Sequence, residues 1–73
     1  MKGDLQRIVG ENLRAYRLAR KISQEDFAYT LGVHRAYLSG VERGQRNLTL
    51  QTVEGMAAVL EIEPLKLLQV SDR

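Results

Sequence analysis

Residues 23–43 constrain this chain more tightly than any other stretch, because two short helical patterns stand there with only Gly32-Val33 between them. The first opens on Ser23, whose hydroxyl can accept an orphan backbone N–H, and Asp26 three residues on resembles a capping box with the shorter acid. Phe27, Ala28 and Leu31 form its inner face, and Gly32 supplies the positive φ that commonly ends a helix. The second pattern covers residues 34–43, with Leu38 and Val41 inward and Gly44 closing it. So short a connection does not let the helices pack antiparallel; it suits a crossed pair. Ala28 falls at the crossing, where a larger side chain would push the helices apart, and Phe27, Leu31, Val33, Leu38 and Val41 clamp the pair to the remaining helices.

Those remaining elements are helical too. Over residues 5–20, Val9, Leu13 and Tyr16 recur at helical spacing, with Leu5, Ile8 and Asn12 in a less regular line and arginines on the other face; Asp4 is placed to cap the start. Thr49 can cap a fourth helix with the apolar stripe Leu50, Val53, Met56, Ala57 and Leu60. Pro64 suits the first position of a fifth helix, whose apolar face is Leu65, Leu67 and Leu68. β-branched alternation is absent, so the expected class is all-α with five helices. The 73 residues read as one domain, 1–73, with 1–4 and 70–73 loose. A chain this short buries only about 60% of its extended surface, so covering a further face in a dimer would add to a thin margin.

Several function classes drop out on composition. There is no cysteine and His34 is the only histidine, which removes disulfides and makes a metal site improbable; no cofactor is expected. No apolar run has the length of a signal peptide or a membrane span, so a soluble, cytoplasmic protein is expected, with no membrane partner. The adjacent acids Glu25 and Asp26 point in different directions on a helix and no nucleophile or base joins them, so the chain does not read as an enzyme. The net charge of +2 conceals an asymmetry: nine basic against five acidic residues through Arg46, then two against four. Basic charge gathered in one part of a domain suits a polyanion.

The outer face of the third helix sharpens this. Ala36, Ser39, Gly40 and Arg43 share one face, with Arg35 flanking them. Small residues in the middle allow a helix to lie deep in a DNA major groove, and Arg35 can donate two hydrogen bonds to guanine. The plainer alternative for Arg35 is a solvated side chain. A mid-helix glycine costs about 1 kcal/mol relative to alanine, so Gly40 either serves the groove face or admits a neighbouring helix. Tyr37 belongs either to the core or against the sugar-phosphate backbone, and His34 either contacts the nucleic acid or is solvated. Ser23 and Gln24 stand at the amino end of the second helix, where a phosphate can bind, and Arg46 and Asn47 offer a second clamp. Arg17 and Glu42 are read as an internal ion pair joining the first helix to the third, with surface placement as the alternative.

With these residues assembled, the chain resembles the lambda-repressor-like domain of the Xre and lambdoid Cro-repressor helix-turn-helix family over about residues 9–68. The matching elements are Val9-Gly10, Leu13, Arg17, Ser23-Gln24-Glu25, Phe27-Ala28, Leu31-Gly32-Val33, Leu38-Ser39, Val41-Glu42-Arg43-Gly44 and the helix over 50–60. Residues 35–43, followed by Arg46-Asn47-Leu48-Thr49, look most like restriction–modification controller proteins. The resemblance implies a bacterial transcription regulator that binds a pseudo-palindromic operator in double-stranded DNA as a homodimer. It puts Arg35, Ala36 and Ser39 at groove-facing positions and Tyr37, Arg46 and Asn47 at backbone or indirect-readout positions. It makes Arg17 and Glu42 a structural pair and allows contact with RNA polymerase. Val59, Ile62, Leu65 and Leu68 are the candidate dimer face, with completion of the monomer's own core as the alternative. Competing functional readings are a phage-type repressor, or an antitoxin or adaptor that uses the same domain to dock a protein.

Overall fold

The computed structural model describes residues 4–70. In chain order these form α1 (Asp4–Ala19), α2 (Gln24–Leu31), α3 (Arg35–Glu42), α4 (Leu50–Leu60) and a 3₁₀ helix (Pro64–Leu68), with no strand among the described residues. The all-α class stands, but the fifth element differs in kind. Five residues led by a proline give few i→i−4 rings to close, and Lys66 N–H bonds instead to the Glu63 carbonyl, three residues back, at 3.0 Å. Asp4 stands inside the first turn of α1 rather than capping it. The expectation of loose ends falls, for residues 1–3 and 71–73, outside the described residues.

Local chemistry sets the breaks. Ser23 Oγ accepts the Asp26 backbone N–H at 3.0 Å, and Gly32 ends α2 at φ +73° while its amide turns back to the Ala28 and Tyr29 carbonyls. Thr49 Oγ1 caps α4 by accepting the Thr52 N–H at 3.0 Å. His34 occupies the N-cap of α3 but makes no side-chain capping bond. Glu61 ends α4 in the left-handed region at φ 58°, a position that pattern reading assigns to glycine.

The core is Val9, Leu13, Phe27, Ala28, Leu38, Val41, Val53, Met56, Ala57 and Leu67. α1 packs on α3 and on the 3₁₀ helix, while α2 lies against α3 and α4. Tyr16 completes the core edge by stacking on Phe27, ring centroids 5.8 Å apart. Leu50 leaves the expected stripe: as the first residue of α4 it points outward and is 72% exposed. Two contacts near the middle of α1 fix it to its neighbours. A Cβ at Gly10 would overlap the Val41 carbonyl oxygen and lie 3.0 Å from that of Glu42, so α1 meets the end of α3 at backbone distance. Asn12 Nδ2 donates to the Leu67 and Gln69 carbonyls, both at 2.8 Å, and so holds the end of the 3₁₀ helix.

Candidate nucleic-acid interface

One carboxylate organises the crossed pair. Glu42, the last residue of α3, is only 7% exposed. Arg17 of α1 donates to both of its oxygens, Nε to Oε2 at 2.8 Å and Nη2 to Oε1 at 3.0 Å, and gives Nη1 to the Ile22 carbonyl at 3.1 Å. The hydrogen bond to Glu42 holds the Arg17 pKa above the ordinary arginine value; burial opposes the shift and the neighbouring negative charge adds to it. Gln24, at the head of α2, donates Nε2 to the same Oε1 at 3.1 Å. Three helices thus converge on Glu42. Sequence reasoning pointed Gln24 at a phosphate and missed this bond; the available signal was that one arginine fork leaves a buried carboxylate with lone pairs to fill.

Around this anchor, α3 turns its other face to solvent. His34, Arg35, Ala36 and Arg43 are exposed and Ser39 is half-buried. Glu42 is the sole acid on α3, and it is consumed internally, so nothing negative stands on the solvent face of this helix. Arg35 has no ion-pair partner among the described residues. Arg43 folds back along the helix, Nη1 donating to Ser39 Oγ at 2.7 Å and Nε to Gln45 Oε1 at 3.3 Å.

Gly40 is the correction on this face. It is buried, and the space in front of it is filled by the Arg46 side chain: an added Cβ would sit 3.1 Å from Arg46 Cγ and 3.2 Å from Nε. The Arg46 guanidinium continues over the Tyr37 ring, 5.2 Å from its centroid, while Tyr37 packs against the core on its other side. Tyr37, Gly40 and Arg46 therefore act as one unit: the glycine makes room, the ring supports, and the loop arginine is laid beside α3. Asn47 follows, exposed in the same loop. Ser23 is exposed at the head of α2, with its hydroxyl oxygen already accepting from Asp26.

The four residues expected at a dimer face differ in burial. Ile62 and Leu68 pack on the core and help to close it beside Leu67, whereas Val59 and Leu65 remain 48% and 64% exposed. Among the described residues no cluster of His, Cys, Asp or Glu could hold a metal, and no helix is long and apolar enough to cross a membrane.

Comparison with known proteins agrees with this geometry. The control protein C.SmaI of Serratia marcescens is 43% identical over 65 residues, covering 89% of this chain and 77% of that protein. The crystal structure of the restriction–modification controller protein C.AhdI from Aeromonas hydrophila superposes with a TM-score of 0.74 at 44% identity, covering 85% of this chain and 94% of that one. The controller C.Esp1396I, solved as a tetramer in complex with its natural 35 base-pair operator, gives a TM-score of 0.74 at 34% identity over 88% of this chain and 84% of that one. The helix-turn-helix family pattern itself matches residues 13–67. By that match, and by its likeness to restriction–modification controllers, this chain belongs to the helix-turn-helix family.

Proposed function

We propose that this protein is a sequence-specific, DNA-binding transcription regulator of the restriction–modification controller type, acting as a homodimer on a pseudo-palindromic operator. The observation that carries the reading is the solvent face of α3: Arg35, Ala36, Ser39 and Arg43 form a slim, cationic surface from which the helix's own acid has been removed into the interior. Placed in a major groove, Arg35 donates to the O6 and N7 edge of guanine, and Ala36 keeps the approach close. His34 lies at the groove end of the helix, and Ser39 and Arg43 meet bases or phosphates farther along. Arg46, held in place by Tyr37 and Gly40, meets the sugar-phosphate backbone with Asn47, and Ser23 and Gln24 approach a phosphate from the start of α2.

A single helix reads too few base pairs to find one site in a genome. Two copies related by a two-fold axis place their α3 helices about 34 Å apart, one DNA turn. Val59 and Leu65 are the exposed apolar residues assigned to that contact. In this reading regulation comes from the protein's own concentration and the arrangement of operators. Residence in the cytoplasm, on the nucleoid when bound, and contact with RNA polymerase at an adjoining promoter belong to the same reading. Selection of bound sequences from a random duplex pool at physiological salt tests it. A symmetric motif with half-sites one turn apart is expected; absence of any preference among duplexes overturns it.

A further inference from the structure

Between α1, the head of α2 and the end of α3 lies an open concavity of about 390 Å³ lined by Arg14, Arg17, Gln24, Ser39, Glu42 and Arg43. Its charges do not balance. Arg17 and Glu42 neutralise one another at 2.8 Å, while among the described residues Arg43 bonds only to the neutral oxygens of Ser39 and Gln45. Arg14 is exposed and has no ion pair among the described residues. It precedes Arg17 by one turn of α1, so the two arginines share a face. The concavity therefore holds two uncompensated guanidiniums, one on α1 and one just past the end of α3, around a carboxylate already occupied by Arg17 and Gln24. Ser39 and Arg43 also belong to the solvent face of α3, which makes the concavity continuous with the surface assigned to base reading.

From this we infer that Arg14, a residue that neither the sequence pattern nor the resemblance assigns to the interface, clamps a phosphodiester of the bound duplex jointly with Arg43 across the concavity. The inference rests on the DNA-binding reading and adds α1 to it. A guanidinium on each side matches the two non-bridging oxygens of one phosphodiester, and fork-shaped donors are well suited to that geometry. Such a contact carries no sequence information, so it operates on any duplex and adds to the counterions released on binding.

The experiment uses the full chain and mixed-sequence duplex DNA, with affinity read by fluorescence anisotropy across a salt series. Arg14→Gln is expected to reduce the slope of log affinity against log salt by about 0.9, the share of one phosphate contact, and Arg14→Lys to restore most of it. Lys66→Gln removes the same charge from the 3₁₀ helix, which packs on the opposite face of α1, and is expected to leave the slope near that of the wild type. The proposal fails if Arg14→Gln keeps the full slope, or if Lys66→Gln lowers it equally, since the effect then follows net charge alone. In both cases the wild type still binds and the DNA reading survives. A wild type with no salt-dependent affinity for duplex overturns that reading itself. Arg14 is exposed and has no ion pair among the described residues, so unchanged thermal melting of the variant is the accompanying check on folding.

Discussion

Two glycine-to-alanine substitutions, one in α1 and one in α4, test the packing with the same chemical change and opposite expected signs. In each case alanine gains about 1 kcal/mol of helix propensity. At Gly55, inside α4, no atom lies within 4 Å of the position an added methyl would occupy. Nothing offsets the gain there, and about 1 kcal/mol in a domain of this size raises Tm by about 4–8 °C. At Gly10 the methyl meets backbone, not a flexible side chain: the Val41 carbonyl oxygen overlaps it, and the Glu42 carbonyl oxygen and carbon lie at 3.0 and 3.1 Å. Relief requires α1 and α3 to separate, which also strains the Arg17–Glu42 bonds. Overpacking of this kind costs about 3 kcal/mol or more where backbone must move. After the propensity gain the net loss is about 2 kcal/mol, a fall in Tm on the order of 10 °C. Thermal melts by far-UV circular dichroism decide it, at one fixed protomer concentration because self-association shifts Tm. If Gly10→Ala melts at or above the wild type, the helices do not meet as described. If Gly55→Ala melts lower, that face of α4 is covered in solution.

Three further outcomes follow from the interface. Arg35→Ala should weaken operator binding by about 1–3 kcal/mol and relax base preference at one position; a variant with unchanged selected sequences removes Arg35 from base reading. Arg46→Ala should weaken binding to all duplexes alike and flatten the salt dependence, and an unaltered slope takes Arg46 out of the backbone clamp. The raised Arg17 pKa gives a sign for pH. Its stabilising contribution is complete below the ordinary arginine value and is lost only as pH rises through the still higher folded value. The stability difference between wild type and Arg17→Ala, measured by urea unfolding, should therefore stay constant from about pH 7 to about pH 10; a difference that shrinks over this range contradicts the pairing.

Much of this architecture is legible in the sequence because its signals are local. Ser23, Gly32 and Thr49 act within one turn of their own positions, so side-chain type and spacing are enough to place them. The inward faces of α2 and α3 follow from helical periodicity in the same way. Features that depend on what arrives from elsewhere were harder to read. Gly40 invites a neighbour, but only the three-dimensional path of the following loop makes that neighbour the Arg46 side chain. Gln24 is chemically free to face a phosphate or a carboxylate, and nothing local announces that its Nε2 donates to Glu42, eighteen positions away. Ile62 and Leu68 look identical in type to Val59 and Leu65, yet Ile62 turns back at the end of α4, its N–H bonded to the Ala57 carbonyl, and Leu68 closes the 3₁₀ helix, and both pack on the core. Glu61 adopts the left-handed conformation without the glycine that normally advertises it.

The Arg17–Glu42–Gln24 network raises a question that stability alone does not answer. Desolvating an ion pair costs several kcal/mol per ion, so a buried pair often does no better than an apolar pair of similar volume. What apolar contacts lack is direction: Val41 and Leu38 hold α3 against the core but tolerate small rotations and slides, whereas bonds of 2.8 to 3.1 Å from two other helices to one carboxylate do not. Because Glu42 ends the helix that carries Arg35 and Arg43, those bonds fix the angle at which this surface meets a groove. Removing one partner and removing both should then differ. Glu42→Ala leaves Arg17 buried without its counter-ion and should cost about 3–5 kcal/mol, enough to unfold much of so small a domain. The double replacement Arg17→Met with Glu42→Leu should fold with stability close to the wild type, yet bind selected and mixed-sequence duplexes with a smaller ratio of affinities. Both ratios come from one titration series at fixed salt. If the double variant discriminates as well as the wild type, the network serves stability and not aim.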